Sequence, residues 1–430
     1  MTTLEKAQEA VQAKTLLGSL DHETKNRALD AIIKVLRDNR QAIVAANQGD
    51  LERAEKERLA APLLKRLKFD GPKIEASCEG LASLIALPDP VGHVMRALEL
   101  DQGLELFKVS SPIGVIGVIF ESRPDALVQI ACLCLKSGNA VLLKGGREAA
   151  DTNQILADII SRAAVQEGAP QGWLGLLETR SDVENLLGLS DQVDLIVPRG
   201  SNAFVRHIMR NTTIPVLGHA DGICHVYVDG HADVDMAVRI SQDSKCQYVA
   251  VCNAAETLLV HQDAAQAFLP SMKAVFDTHG VEMRGCERTA GIIDVLPANE
   301  DDWKTEYLDL VISIKIVDSL SAAIDHINCY GSGHTDVIVT NDRQRAVQFM
   351  DRVDSADVFV NCSSRFSDGF RFGLGAEVGI STNKIHARGP VGLEGLMIYK
   401  WRLLGDGHIV ADYAGDNAKP FTHRDLKLIF

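Results

Sequence analysis

Hydrophobic residues along the chain change their spacing near residue 100. Before it they recur with helical period: Leu29, Ile32, Ile33 and Leu36 fall on one face, and Pro88–Asp89–Pro90 closes the region in a rigid turn. The first hundred residues are therefore expected to be helical. Beyond them, apolar runs of strand length at 113–120, 140–143, 193–197 and 225–229 alternate with amphipathic stretches. Pro124 at a helix start, then Leu127, Ile130 and Cys134, with Gly138 at the stop, predict one intervening helix. Another is expected to be capped by Asp151, with Ile155, Ile159 and Ala163 on one face and Gly168 and Pro170 at its end. Such alternation implies parallel sheet with right-handed crossovers.

A second alternating series follows a hinge expected near residues 243–248. Strands are predicted at 257–260, 311–317, 336–340 and 357–361, and helices at 264–277, 320–328 and 343–352. The polar tail from 406 onward contains one more strand candidate, 408–413. The chain thus divides into residues 1–245, a nucleotide-type α/β unit with a helical front; 246–385, a second α/β unit; and 386–430, a returning segment. A cleft between two α/β units is where small-molecule sites form.

Composition supports a well-cored protein, with 46% apolar and 24% charged residues. The net charge of −14 disfavours nucleic acid and anionic lipid as partners. No apolar run approaches the roughly 18 residues of a membrane span, and the N-terminus lacks the apolar core of a signal peptide. Nine scattered cysteines, an odd number, read as reduced thiols in a cytoplasmic protein, one of them chemically special.

Six segments are candidates for chemistry. Glu121–Ser122–Arg123–Pro124 follows the first strand at a helix start, where ligands bind in open α/β sheets; a plain helix cap reads the same way. Lys144, Gly145, Gly146 and Arg147 follow the second strand. The glycines allow close approach of a phosphate, and two cations without an adjacent acid favour the 2′-phosphate of NADP(H), although Glu148 stands next to them. Arg199, Gly200 and Ser201 at the third strand end suit a pyrophosphate at a helix start. Cys252 sits beside Asn253 among small residues at the expected hinge, unlike Cys132 and Cys134 on a helical core face; a thiol there can act as a nucleophile. His334, after the Gly331–Ser332–Gly333 loop, and Arg365, after the last strand, are candidates for holding a polar substrate end, Arg365 by gripping a carboxylate. No metal-ligand set appears.

Seven stretches in order, PIGVIGVIFESRP, LKSGNAVLLKGG, GHADGICHVYVD, QYVAVCNAAETLLVH, AAIDHINCYGSGHTDVI, SRFSDGFRFGLGAEVGIST and KIHARGPVGLEGL, span residues 108–396. They resemble the aldehyde dehydrogenase superfamily and, within it, the branch that reduces the γ-glutamyl acyl phosphate of proline biosynthesis; the motif around His326 and His334 is specific to that branch. The resemblance implies two Rossmann-like parallel-sheet domains plus a small β element that pairs subunits. It makes Cys252 the nucleophile and assigns Lys144, Gly200 and Ser201 to the dinucleotide. Ser122 replaces the asparagine that ordinary aldehyde dehydrogenases use to stabilise the oxyanion, so Ser122 and the backbone around Cys252 and Asn253 complete the catalytic set. Leu217–Gly218–His219–Ala220–Asp221 matches the segment that elsewhere carries a water-activating glutamate, and no glutamate is present. A thioester should then survive to meet hydride or phosphate. The implied reaction is NADPH-dependent reduction of L-glutamate 5-phosphate, with Arg123, Arg365 and His334 holding the phosphate or the amino-acid end. Glutamate 5-kinase is expected as a separate chain, and the protein as a homodimer or homotetramer. The alternatives are an aldehyde dehydrogenase whose acyl acceptor is coenzyme A or water, and a catalytically silent binding protein.

Overall fold

The computed structural model describes residues 1–179, 181–218 and 221–427. Five helices, Thr3–Leu17, His22–Asp38, Arg40–Lys56, Ala61–Leu67 and Gly71–Ala86, form the front. Thr2 and Glu5 close a reciprocal capping box, and Asp21 and Asp70 cap the second and fifth helices. Leu29, Ile32, Ile33 and Leu36 are buried in one core with Leu127, Ile130 and Cys134 of the helix Pro124–Ser137, as their period predicts. That helix ends at Gly138, in the left-handed region with φ 74°; a side chain there would also press on Pro112 and Gly18.

Behind these helices lie four parallel strands in the order Leu174–Leu177, Ala140–Lys144, Val115–Phe120, Leu195–Arg199. Val115–Phe120 is buried at every position, which is why its sequence is a continuous apolar run rather than an alternating one. The strand order reverses between Val115–Phe120 and Leu195–Arg199, and a crevice opens beyond the carboxyl ends at such a reversal. The second sheet has seven parallel strands, ordered Leu296–Pro297, Glu282–Gly285, Val311–Val317, Ala255–His261, Cys224–Val228, Thr335–Val339, Asp357–Val360.

Several expectations are corrected. Cys224–Val228 pairs with Ala255–His261 and Thr335–Val339, so the chain enters the second sheet before residue 224 and not at 246. The expected hinge at 243–248 holds the end of the helix Val234–Cys246, which packs within the second unit. Helical structure stops at Ala86; Val94–Asp101 and Leu104–Pro112 form a hairpin turning at Gly103, with φ 77°. Met397–Leu404 and Arg424–Asp425 extend this hairpin to a four-stranded antiparallel sheet. Within the predicted tail strand, Val410–Tyr413 is a single 3₁₀ turn, held by the Tyr413 hydroxyl donating to Asp101 Oδ2 at 2.7 Å.

Asp151 is not a cap either. It lies inside the helix Ala150–Gln166 and takes a hydrogen bond from Arg53 at 2.7 Å, while Asp50 of a neighbouring helix accepts from the Thr152 amide at 2.9 Å and its hydroxyl at 2.6 Å. A fully buried carboxylate thereby docks the front helices onto the first sheet's helix layer. Removing it strands buried donors, so Asp50→Ala is expected to lower the unfolding free energy by about 3 kcal/mol. Urea denaturation of the variant reads this directly; a loss under about 1 kcal/mol would show the docking to rest on apolar contacts alone.

Candidate active site

Cys252 occupies the turn between the helix Val234–Cys246 and the strand Ala255–His261, half-buried. Three constraints hold that turn. Its ends are joined by Lys245 Nζ and Glu256 Oε2, 2.6 Å apart and both without exposure. Burial pushes the Glu256 carboxyl up to about 7, against the pull of Lys245 and the Leu308 amide. On one side the Asn253 side-chain amide donates to the Ser367 carbonyl at 2.7 Å, and the Ser364 hydroxyl donates to the Asn253 carbonyl at 2.6 Å. On the other, Gly222 lies so close that a Cβ would overlap the Cys252 backbone, and the Cys224 thiol donates to the Cys252 carbonyl at 3.2 Å. The Asn253 side chain is a buried clamp on this turn.

Two guanidinium groups come within electrostatic reach of Cys252. Burial pushes Arg199 below the usual guanidinium range, with Glu377 opposing most strongly and Cys252 in the same direction. Arg365, similarly depressed by burial and by Arg371, is oriented by Gln247 Oε1 at 3.0 Å and also feels Cys252. Arg199, grouped by sequence with the dinucleotide loop, thus also bears on Cys252. Arg123 joins this group through its charge on Arg199.

The loops at the first sheet's carboxyl edge form the other wall. Ser122 adopts φ +45°, and its amide and hydroxyl both donate to Glu148 Oε1, at 2.6 and 2.7 Å. Its hydroxyl is committed there, so the expected role as an oxyanion donor would require it to leave Glu148. Glu148 fills the space beside Gly146, and Asn153 that beside Gly145. Lys144 is buried against the Gly145 carbonyl, with burial lowering its pKa; Arg147 is exposed and pairs with Glu57 at 2.8 Å. At the start of the helix Asn202–Arg210, Glu121 Oε2 accepts from the Ser201 amide at 3.1 Å and crowds Gly200. A carboxylate already stands where an anion is welcome, so these loops fit the phosphates of a dinucleotide.

His334 is fully buried, which corrects its assignment to a substrate-facing position. Its Nδ1 lies 2.7 Å from the Thr335 hydroxyl and 3.8 Å from the Cys224 sulfur. Thr335 and Ser367 both donate to Asp357 Oδ2, at 3.5 and 2.6 Å. Through Cys224 and Ser367 this network underlies the Cys252 turn. His326 is likewise structural, ringed by Trp303, Tyr330 and His225 with Lys315 Nζ at 3.2 Å. His219 and Ala220 of the glutamate-less segment lie outside the described residues.

Residues 3–290 match the model of the aldehyde dehydrogenase family. The chain is 61% identical over 422 residues to the γ-glutamyl phosphate reductase of Pelotomaculum thermopropionicum, covering 98% of this chain and 97% of that one. It is 58% identical to that of Acetivibrio thermocellus over the full length of both. The crystal structure of γ-glutamyl phosphate reductase from Thermotoga maritima superposes with a TM-score of 0.93 at 41% identity, covering 95% of this chain and all of the other. The chain belongs to the γ-glutamyl phosphate reductases, within the aldehyde dehydrogenase family. It is an oxidoreductase of the fold expected from sequence, in a family that uses a nicotinamide cofactor. Gly222 and the Lys245–Glu256 pair escaped the reading by sequence, as did the roles of Glu121 and Glu148 as internal acceptors for the Ser201 and Ser122 amides. Only the charges at 245 and 256, bracketing an otherwise uncharged segment, were a visible signal.

Two predictions follow from this geometry. Gly222→Ala forces the Cys252 backbone aside, so turnover should fall by about 100-fold while the far-ultraviolet dichroism is kept; loss within threefold would mean that the turn tolerates the shift. Burial, with His225 and Lys315 adding to it, pushes the His326 pKa down to about 2. Its neutral form is then required for folding, and stability falls as pH drops below the unfolded value of about 6.5, by about 1.4 kcal/mol per pH unit. Urea titrations between about pH 6.5 and 5 should show that slope reduced by one proton in His326→Gln, and an identical slope would refute it.

Proposed function

We propose that this reductase converts L-glutamate 5-phosphate to L-glutamate 5-semialdehyde and phosphate with NADPH, through a thioester on Cys252, as the second step of proline synthesis from glutamate. The observation that carries this reading is the turn of Cys252, clamped on both sides with two guanidinium groups in reach, while the surrounding carboxylates are committed to internal partners. Glu256 is paired with Lys245, Asp357 accepts from Ser367, and Glu377 accepts from the Gly369 amide at 2.8 Å. None of these three is available to activate water, so the acyl-enzyme is spared hydrolysis.

In the first step the Cys252 sulfur attacks the γ-carbonyl carbon. The carbon–sulfur bond forms, the carbon–oxygen bond to phosphate breaks, the thiol proton passes to the departing oxygen, and hydrogen phosphate leaves as the dianion that the neighbouring arginines favour. Arg199 and Arg365 steady the charge at the reacting centre, and backbone N–H groups of the turn take the oxyanion. Lys144, Gly145, Gly146, Arg147, Gly200 and Ser201 would hold the cofactor, with Glu121 giving up the Ser201 amide to its phosphates. NADPH held there would supply a hydride to the acyl carbon, from which Cys252 would depart as the thiolate. The aldehyde then leaves Cys252 free for another cycle. In this reading the substrate comes from glutamate 5-kinase as a separate chain in the cytoplasm, and copies of this chain associate through the antiparallel sheet.

The reverse reaction tests it, since the acyl phosphate is unstable. Glutamate 5-semialdehyde and NADP+ should yield NADPH only when inorganic phosphate is supplied, and Cys252→Ala should lose at least about 10⁴-fold in rate. Turnover independent of phosphate would make water the acceptor and overturn the proposal.

A further inference from the structure

A cavity of about 260 Å³ lies between the helices Gly71–Ala86 and Pro124–Ser137, with Gly375 and Ala376 on its rim. Its size suits a small metabolite, being just under the roughly 300 Å³ at which ligand pockets begin. Most of its wall is apolar, but it carries one charge of each sign: Lys73 from the first helix and Asp125 from the second. Neither charge has an ion-pair partner among the described residues. Asp125 Oδ1 is buried without a hydrogen-bond partner among the described residues. Lys73 forms no ion pair among them, and its Nζ reaches only the Lys65 and Arg66 carbonyls, at 3.4 and 3.3 Å. Burial lowers the Lys73 pKa, and the Asp125 charge opposes that shift. The two therefore feel each other without closing into a pair.

The cavity adjoins the segment that packs on Arg199: Ala376 lines it, and three residues on Gly379 lies so close to Arg199 that a Cβ would meet the guanidinium at 2.7 Å. Asp125 stands in the first turn of the helix that begins directly after the Glu121–Arg123 loop, where a negative charge is favourable. Its charge acts on Arg199, on which Cys252 also acts. A ligand with its acyl end at Cys252 and its other end in this cavity would meet an ammonium and a carboxylate at that far end. Molecules that bear both a carboxylate and an ammonium complement such a wall, and an α-amino acid is one of them.

We propose that Lys73 and Asp125 are the specificity-determining residues that read the α-amino-acid end of the substrate, Lys73 taking the α-carboxylate and Asp125 the α-ammonium. This rests on the reading of Cys252 as the site of acyl transfer. It assigns the amino-acid end to the helix layer and leaves Arg199 and Arg365 for the phosphate end. Burying a donor or acceptor without its partner is costly, so a substrate lacking either group is rejected.

The test compares three aldehydes in the phosphate-dependent reverse reaction: glutamate 5-semialdehyde, 5-oxopentanoate, which lacks the amino group, and butanal, which lacks both charged groups. Asp125→Asn should lower the kcat/KM ratio of glutamate semialdehyde over 5-oxopentanoate by about tenfold or more. Lys73→Ala should lower the ratio of 5-oxopentanoate over butanal to a similar extent. Gly80 gives a variant that spares both charges: it lies on the cavity wall and a Cβ there meets no atom within 4 Å. Gly80→Met should raise the KM for glutamate semialdehyde while melting no earlier than wild type. A ratio that stays within about threefold of wild type overturns that residue's assignment, and an unaltered KM in Gly80→Met overturns the cavity itself. Wild-type protein with no phosphate-dependent oxidation of glutamate semialdehyde would refute the acyl-transfer reading and this inference with it. Active wild type with unaltered variants would refute the inference alone.

Discussion

The Lys245–Glu256 pair is the constraint on which the site depends. Each of its charges costs several kcal/mol to remove from water, and a dry apolar pair of the same shape could be as stable. What the ion pair supplies is position. It joins the last turn of one helix to the second residue of a central strand, and so fixes both ends of the segment that carries Cys252. With the ends fixed, the Asn253 side chain and the Gly222 approach leave the turn little freedom, and the thiol is presented in one place before any substrate arrives.

The same logic governs the facing wall. Ser122 sits in the left-handed region, at a cost of about 1 kcal/mol for a residue with a Cβ, and two donors to Glu148 hold it there. Glu148 also fills the room that Gly146 leaves open. The glycines of this loop therefore serve internal packing as much as ligand approach. Charged side chains at the strand ends, Glu121 and Glu148 above all, organise the loops from within, and the same loops are the ones that fit a dinucleotide.

The buried histidines make a related point. A histidine that follows a glycine loop looks like a ligand, yet His334 is sealed beneath the nucleophile turn and His326 beneath a ring of aromatic side chains. His334 reaches Cys224 at the start of the neighbouring strand, His326 reaches Lys315 from its helix, and His225 joins Asp336 at 2.8 Å. Motif residues of this kind are bound into the framework that supports the turn.

What the chain determines locally was legible in it. Continuous apolar runs such as Val115–Phe120 marked buried parallel strands, the helical spacing from Leu29 to Leu36 marked a core face, and Cys252 was separable from the core cysteines Cys132 and Cys134, because burial and period act on residues close in sequence. The hairpin Val94–Asp101/Leu104–Pro112 was not legible, since it covers little core and its burial lacks clean alternation. Nor was the sheet to which Cys224–Val228 belongs, because a fully buried strand looks the same in either one. The partners of Ser122, Asn253 and His334, and the meeting of Lys73 with Asp125 across a cavity, were decided by the tertiary structure alone. Each joins residues far apart in the chain, and a polar side chain carries no sign in its own neighbourhood of which distant donor or acceptor folding will bring to it.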